Sequence, residues 1–138
     1  MAHRIVFLFS DTGGGHRASA TAVARALELE YPGAFDVQLL DPFLRGGGPL
    51  LGWIVYRYAF MLKHLPQTYG LLFHLTNNRA VMRFVIRFFG RQVKPGLRKN
   101  LDELKPEGIV SFHPLTNHVT VEVMDQVGLK VPFITVVT

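Results

Sequence analysis

Three consecutive glycines followed by a histidine and an arginine form the stretch of this sequence best suited to chemistry. Gly13, Gly14 and Gly15 carry no Cβ, so a ligand can approach their backbone closely. His16 adds a titratable imidazole, and Arg17 adds a permanent cation. This stretch therefore predicts a site for an anion, most often a phosphate or a diphosphate, which backbone amide hydrogens, an imidazole and a guanidinium would face together.

The segments on either side of the glycines predict a strand and a helix. Residues 4–9 are an apolar run typical of a buried strand, and Gly15–Glu30 has the composition of a helix. The helix would point its free N–H groups and the positive end of its dipole at the anion. Two other interpretations stay open: a tight turn without a ligand, and a His16 side chain bonded to its own backbone. The glycine spacing matches neither the nucleoside-triphosphate loop nor the dinucleotide fingerprint. The dinucleotide fingerprint also needs an acidic residue at the end of the second strand, and Asp41 comes closest to that position.

The remaining apolar segments predict an α/β fold with a Rossmann-like parallel sheet and flanking helices. Phe35–Leu40, residues 108–112 and residues 131–137 are the expected second, third and fourth strands. A helix over residues 115–127 would join the last two. Strand–helix–strand crossovers are right-handed and parallel in nearly all proteins, and such sheets bind ligands at the carboxyl ends of their strands.

Composition narrows the function classes. The 138 residues contain no cysteine, which excludes disulfides, thiolate nucleophiles and thiolate metal sites. The net charge of +5 is uneven, because residues 42–104 hold ten Lys or Arg against two acidic residues. A basic middle segment indicates an anionic partner, either lipid headgroups or nucleic acid. We expect no signal peptide, and the apolar stretch at residues 49–56 is too short to span a bilayer.

An aromatic helix is expected over residues 50–63. It contains Trp53, Tyr56 and Arg57, a combination that suits the interface between a membrane and water. Packing against the rest of the fold, or against a partner domain, explains the same residues equally well. Both interpretations stay open at this point.

A row of arginines follows in the next long helix. Arg79, Arg83, Arg87 and Arg91 are spaced four residues apart, which places their guanidinium groups on one helix face. An anionic membrane lipid facing this row, or simple solvation, would offset the repulsion among them. Nucleic acid ranks lower as a partner, because the sequence has no recognisable nucleic-acid module.

Turn-forming residues predict three breaks in this middle region. Residues 45–49 are rich in glycine and are expected to form a flexible loop. Residues 64–78 are predicted to form a linker that contains one short helix at residues 69–74. The Pro95 and Gly96 pair is expected to interrupt the arginine-bearing helix.

Two motifs resemble the monogalactosyldiacylglycerol synthases and the related bacterial processive diacylglycerol glucosyltransferases. They are Asp-Thr-Gly-Gly-Gly-His-Arg-Ala-Ser-Ala at residues 11–20 and Ser-Phe-His-Pro-Leu at residues 111–115. The resemblance implies a GT-B glycosyltransferase, in which two Rossmann-like halves face a cleft. Residues 1–138 would be the N-terminal, acceptor-binding half, and the C-terminal half that holds the UDP-sugar would be absent. The fragment alone would then be inactive.

The same resemblance implies a reaction and a set of residues. A hexose would pass, with inversion, from UDP-galactose or UDP-glucose to diacylglycerol, with His16 as the general base. The glycines and Arg17 would face the diphosphate, and His113 and Asn117 would shape the acceptor pocket. A strand-end histidine and a helix cap are the plain alternatives for this last pair. No metal and no cofactor beyond the sugar nucleotide are implied, and the enzyme would lie peripherally on the cytoplasmic face of a membrane.

Two other functions fit the sequence. One is a peripheral membrane-binding module without chemistry, based on the aromatic helix and the arginine row. The other is a transferase that acts on a polyprenyl-diphosphate lipid, since the peptidoglycan glycosyltransferases share the fold and a glycine-rich first loop. The His-Arg-Ala-Ser continuation favours diacylglycerol over that second acceptor.

Overall fold

A four-stranded parallel sheet lies at the centre of the protein, as seen in a computed structural model that describes residues 1–11, 15–46, 48–65 and 67–137. Its elements in chain order are β1 (His3–Leu8), α1 (Gly15–Glu30), β2 (Phe35–Leu40), α2 (Pro42–Gly46), α3 (Gly48–His64), α4 (Gln67–Thr76), α5 (Arg79–Leu104), β3 (Gly108–Ser111), α6 (Pro114–Val127) and β4 (Phe133–Thr135). The predicted α/β class with a Rossmann-like parallel sheet is confirmed.

The strand order is β2-β1-β3-β4, so β1 and β3 lie inside the sheet. Ile5 on β1 pairs with Val37 on β2 and with Gly108 on β3, all in parallel register. Every strand therefore ends at the same edge. The carboxyl ends of β1 and β3, which carry the glycine turn and His113, are direct neighbours there.

The second half of strand β1, residues 6–8, is buried on both faces, which explains its apolar sequence. Phe7 packs with Phe112 and with Ala20 of α1 on one face of the sheet. Val6 and Leu8 belong to the larger core on the other face. That larger core contains further side chains from α2, α3, α5 and α6, namely Phe43, Leu51, Val93, Leu97, Leu101, Val119, Val123 and Met124.

Helix α1 and strand β2 have the predicted bounds, whereas the other strands differ slightly. β1 is shifted by one residue, and β3 is one residue shorter than expected. β4 is reduced from the predicted residues 131–137 to Phe133–Thr135. Pro132 has no N–H to donate to the sheet, so regular pairing begins only after it.

The predicted break at Pro95 and Gly96 is wrong, because α5 runs through both residues. Val93, Leu97 and Leu101 project from one face of this helix and are buried in the core on both sides of the proline. Pro95 itself is exposed. Burial of this apolar face outweighs the missing backbone hydrogen bond, which costs about 3 kcal/mol in an ordinary helix.

The loop predicted at residues 45–49 is mostly helical, and the short helix predicted at residues 69–74 of the linker lies within a longer helix, α4. Helix α2 ends at Gly46, Gly47 lies outside the described residues, α3 begins at Gly48, and α4 fills ten residues of the expected linker. A side-chain cap explains where α2 begins. Asp41 Oδ1 accepts the N–H groups of Phe43 at 2.9 Å and Leu44 at 3.2 Å, which starts α2.

Candidate functional site at the carboxyl edge of the sheet

The histidines that follow β1 and β3 meet at the carboxyl edge of the sheet. His16 lies in the first turn of α1, and His113 lies between β3 and α6. Their ring centroids are 4.5 Å apart and the ring planes meet at 74°, so the contact is edge to face. Gly13 and Gly14 lie outside the described residues, and their predicted diphosphate contacts stay predictions. The backbone of Gly15 is open, since a Cβ added there would meet no atom within 4 Å.

His113 is held in place as the N-cap of α6. The N–H of Leu115 donates to its Nδ1 at 3.3 Å, so the neutral ring carries its proton on Nε2. Burial, and then the charge of His16, lower the pKa of His113 from 6.5 to about 4. His113 is therefore neutral at pH 7. Its capped ring forms a fixed surface that the ring of His16 contacts.

A buried hydroxyl network fixes the turn that carries His113. Thr116 Oγ1 donates to the carbonyl of His113 at 2.7 Å and lies 2.7 Å from Ser111 Oγ. Thr120 Oγ1 donates to the carbonyl of Thr116 at 2.7 Å, one turn further along α6. These hydroxyls were not among the site residues predicted from the sequence. Their signal was available in the Ser-Phe-His-Pro-Leu-Thr segment, where a proline opens the helix and polar residues flank it.

Two phenylalanine rings link His113 to helix α5. Phe43 of α2 lies edge to face against His113, with centroids 5.8 Å apart, and Phe89 of α5 lies against Phe43 at 5.9 Å. No sequence signal pointed to Phe43, because it lies between the second predicted strand, which ends at Leu40, and the loop predicted at residues 45–49. The four rings connect the candidate base to the helix that carries the arginines.

Arg17 and Asp11 form an ion pair beside the glycine turn. The guanidinium Nη1 lies 2.7 Å from Asp11 Oδ2, and the same group lies over the ring of Phe9 at 5.7 Å from its centroid. The backbone N–H of Asp11 donates to Asp41 Oδ2 at 3.0 Å. Burial raises the pKa of Asp41, although three backbone N–H groups oppose this. Asp41 thus joins Asp11, the residue at the end of the first described segment, to α2, a role that no sequence signal indicated.

A small cavity of about 140 Å³ opens beside His16. Its other walls come from the ends of β3 and β4, namely Phe112, Pro114, Thr135, Val136 and Val137. Most ligand pockets enclose about 300–1,000 Å³, so this cavity holds only part of a ligand. Its apolar walls suit a carbon chain or ring with a polar atom directed at His16.

Asn117 lies in the first turns of α6, and it is not the helix cap. Its Oδ1 is buried without a hydrogen-bond partner, as is Oγ of Ser10 at the end of β1, within the part of the chain that the structure describes. An unmet buried acceptor costs about 1–3 kcal/mol. The role of Asn117 in acceptor binding stays a prediction.

Within residues 1–11, 15–46, 48–65 and 67–137, there is no cluster of three or more His, Cys, Asp or Glu side chains that could hold a metal ion. None of the helices described here combines the length and the apolarity needed to cross a bilayer.

The aromatic helix predicted over residues 50–63 forms within α3, and its aromatic side chains face outwards. Trp53 is 60% exposed and Tyr56 is 69% exposed, whereas Leu51 is buried in the core. The guanidinium of Arg57 lies 5.7 Å from the centroid of the Trp53 ring. In the present chain, Trp53 and Tyr56 are therefore not core residues.

The four arginines are all exposed on α5, but the structure divides them into two groups. Arg83, Arg87 and Arg91 line a groove of about 670 Å³ between α5 and α6. Arg79, in the first turn of α5, lies outside it. The sequence spacing could not show this division, because the second wall belongs to α6.

The parallel sheet, with His16 and His113 in contact at its carboxyl edge, defines a Rossmann-like α/β domain. The chain belongs to the monogalactosyldiacylglycerol (MGDG) synthase family, because the model of that family matches residues 16–138. This confirms the resemblance seen in the two sequence motifs. The match begins at the histidine that follows the glycines.

Named relatives agree with this family. The chain is 36% identical over 143 residues to a probable monogalactosyldiacylglycerol synthase 3, chloroplastic, of Oryza sativa subsp. japonica. The aligned region covers 99% of this chain and 27% of that protein. The chain is 34% identical to monogalactosyldiacylglycerol synthase 3, chloroplastic, of Arabidopsis thaliana, covering 97% of this chain and 29% of that protein. The chain therefore spans less than a third of the length of these relatives.

Proposed function

We propose that this chain is the N-terminal, acceptor-binding half of a GT-B glycosyltransferase that transfers a hexose from a UDP-sugar to diacylglycerol. The observation that carries the proposal is the contact of His16 with His113 at the carboxyl edge of a parallel sheet. Membership of the MGDG synthase family supports the reaction class. The names of the relatives favour galactose over glucose as the sugar. The donor half would lie beyond the 138 residues.

The proposed chemistry assigns His16 the role of general base. The hydroxyl oxygen of diacylglycerol attacks C1 of the sugar, and the bond from C1 to the diphosphate oxygen breaks with inversion. The hydroxyl proton passes to the imidazole of His16, since an alcohol is a poor nucleophile until a positioned base removes its proton. The electron pair leaves with UDP.

His113 acts on this step as a positioning residue. Its tautomer is fixed by the Leu115 N–H, and its neutral ring places no positive charge beside the base. The glycine N–H groups, with Arg17, would face the diphosphate and offset its growing negative charge. Arg17 is paired with Asp11 in this structure, so its contact with diphosphate would require an exchange of partners. The proposed reaction uses no metal and no further cofactor.

The exposed α3 surface supports peripheral docking of this half on a membrane. Trp53 and Tyr56 would enter the headgroup region, with Arg57 and the three arginines of the groove between α5 and α6 near anionic lipids. Such a location, proposed as the cytoplasmic face, would bring the diacylglycerol hydroxyl to the edge where His16 lies.

The test is a transfer assay with the full-length protein that contains this chain, diacylglycerol vesicles and labelled UDP-galactose or UDP-glucose. His16→Ala is expected to lower turnover by about 10²–10⁴-fold, the usual contribution of a general base. The matched control is His3→Ala, which removes the histidine paired with Glu107 at the opposite edge of the sheet. Turnover by His16→Ala within a few-fold of the wild type would overturn the proposed base.

A second candidate function is a membrane-binding module without chemistry, which the exposed aromatic residues of α3 favour. The same assay separates the candidates. Vesicle binding without product, from either sugar nucleotide, supports the module. Product formed on an added polyprenyl-diphosphate lipid but not on diacylglycerol supports the second acceptor.

A further inference from the structure

The groove between α5 and α6 concentrates positive charge in a volume large enough for a ligand. Arg83, Arg87 and Arg91 line one wall of its roughly 670 Å³, a volume within the range of about 300–1,000 Å³ that ligand pockets occupy. All three side chains are exposed, and they lie one helical turn apart. A single small anion could therefore contact neighbouring guanidinium groups at once.

The opposite wall does not neutralise these arginines. The carboxylate that lines the groove, Glu122 of α6, pairs with Lys94 at 2.5 Å. This hydrogen bond holds the pKa of Glu122 below its ordinary value, so the pair is ionised and its charges cancel. Among the described residues, no acidic side chain lies within 4.0 Å of the three arginine head groups.

Between the charged walls, the groove has an apolar floor. Ile86, Pro95 and Val119 contribute to it, together with the buried Gly90. A Cβ added to Gly90 would lie 3.9 Å from Val119 Cγ2, so a side chain at this position would occupy part of the groove. An anion with a carbon skeleton attached fits such a surface better than a bare ion does.

We propose that this groove binds one phosphate-bearing group, a phosphomonoester or a phosphodiester, through Arg83, Arg87 and Arg91. The planar fork of arginine matches two phosphate oxygens at once, which lysine cannot do. The proposal refines the headgroup contact in the proposed function, and it does not depend on sugar transfer. The proposal also predicts that these three arginines contribute more to binding than Arg79 does. A diffuse electrostatic surface would use all four alike.

The test measures binding of glycerol 3-phosphate and inorganic phosphate to the full-length protein by calorimetry. Binding to vesicles of phosphatidylcholine, with and without an equal part of phosphatidylserine, is measured by sedimentation. Arg87→Gln is expected to weaken saturable, one-to-one binding by about 10-fold, as loss of a charge-assisted pair predicts. Arg87→Lys keeps the charge without the fork and is expected to lie between Arg87→Gln and the wild type.

Arg79→Gln is the matched control, because it removes the same charge from the same helix outside the groove. It is expected to change affinity by less than about twofold, the small effect of an exposed charge. Equal weakening by Arg79→Gln and Arg87→Gln would overturn the proposal, as would an absence of saturable binding with every probe. Tighter binding of a single-stranded oligonucleotide than of any of these ligands would also overturn it, in favour of a nucleic-acid surface.

The probes also identify the source of the phosphate. Binding of glycerol 3-phosphate or inorganic phosphate in solution, lost in Arg87→Gln, supports a soluble ligand. Binding seen only with phosphatidylserine vesicles, with the same loss, supports a lipid headgroup. Because neither readout involves catalysis, an active His16→Ala enzyme would remove the proposed base without affecting this result.

Discussion

His113 lies edge to face against His16, with ring centroids 4.5 Å apart, and the same ring caps helix α6 through its Nδ1. One side chain thus supports both a helix and the candidate base. The two roles use different parts of the ring, because the cap requires only an acceptor atom near the backbone. They can therefore be separated by substitution.

Replacing His113 with asparagine tests its positioning role. Asparagine is among the best N-cap residues, so His113→Asn keeps an acceptor for the Leu115 N–H while it removes the ring that supports His16. We expect kcat in the full-length enzyme to fall by about 10–100-fold, with a smaller change in KM, since misplacement of a catalytic group acts on this scale. Steady-state kinetics with diacylglycerol measures both.

His113→Ala is the comparison for that experiment, because it removes the cap as well as the ring. Its free energy of unfolding is expected to be lower than that of His113→Asn by about 1 kcal/mol. Wild-type kcat in a folded His113→Asn enzyme would contradict the positioning role.

The buried, neutral state of His113 also predicts a pH dependence of stability. Its pKa is about 4 in the folded protein against 6.5 as the ordinary value, so the unfolded chain binds more protons between these values. The stability from this group is complete above pH 6.5 and is lost as the pH falls towards 4. Between pH 7 and pH 5 the loss is about 2 kcal/mol, which urea unfolding of the wild type can measure.

His113→Asn again supplies the control. Asparagine does not titrate, so the variant should lose about 2 kcal/mol less than the wild type between the same two pH values. The difference between the two proteins removes the contribution of every other titratable group. Parallel pH profiles for the two proteins would show that His113 is not held neutral by burial.

The first half of the sheet could be predicted because its signals are local. The apolar run of β1, the helix-forming residues of α1 and the turn before β2 agree with one another, and the bounds of α1 and β2 match the structure. The meeting of His16 and His113 followed from the parallel order of the strands. A sequence therefore carries enough information to place residues at a shared edge.

The middle region could not be predicted in the same way, because distant contacts determine it. Helix α5 continues through Pro95 since Val93, Leu97 and Leu101 are buried by other elements. Helix α2 begins at Pro42 because the Asp41 carboxylate caps it. The grouping of Arg83 with the α6 wall is likewise a property of two helices that pack together.

Asp41 should support both the fold and the glycine turn. One carboxylate oxygen caps α2, and the other accepts the Asp11 N–H at 3.0 Å. Asp41→Ser keeps a capping oxygen but cannot reach both groups, whereas Asp41→Ala loses both. We expect Asp41→Ala to lower the free energy of unfolding by about 1–2 kcal/mol and Asp41→Ser by less, measured by urea denaturation.

Transfer activity adds a second readout for the Asp41 variants. Both should lower turnover, since the Asp11 backbone loses its anchor in each and Asp11 holds Arg17. Asp36→Ser is a suitable control, because its exposed ion pair with Arg4 lies at the other edge of the sheet. Full activity in Asp41→Ser would separate Asp41 from the site and leave it with the capping role alone.

Pro95 gives a prediction of increased stability. It is exposed within a continuous helix and cannot donate the hydrogen bond to the carbonyl of Arg91. Pro95→Ala restores the donor and should raise the free energy of unfolding by about 1–3 kcal/mol. Pro95→Gly restores the same donor but adds the low helix propensity of glycine, so its gain should be about 1 kcal/mol smaller. A lower stability for Pro95→Ala would show that the proline ring stabilises this part of α5.

Trp53 should contribute to membrane binding through its apolar ring. It is the only tryptophan of the chain and is largely exposed on α3. Insertion of such a ring does not require lipid charge, so Trp53→Ala should weaken binding to neutral and to anionic vesicles alike, by about 10-fold. If the groove between α5 and α6 holds a lipid headgroup, Arg87→Gln should instead weaken binding to anionic vesicles only. Sedimentation with both vesicle types distinguishes the two effects.

Tyr31→Ala provides the matched control for Trp53. Tyr31 is a comparably exposed aromatic residue, but it follows α1 on the other side of the sheet from α5 and α6. If α3 forms the docking surface, Tyr31→Ala should bind vesicles as the wild type does, because a membrane that contacts α3 does not reach it. An equal loss in both variants would mean that apolar exposure in general causes binding. The membrane surface would then have to be assigned to residues outside α3.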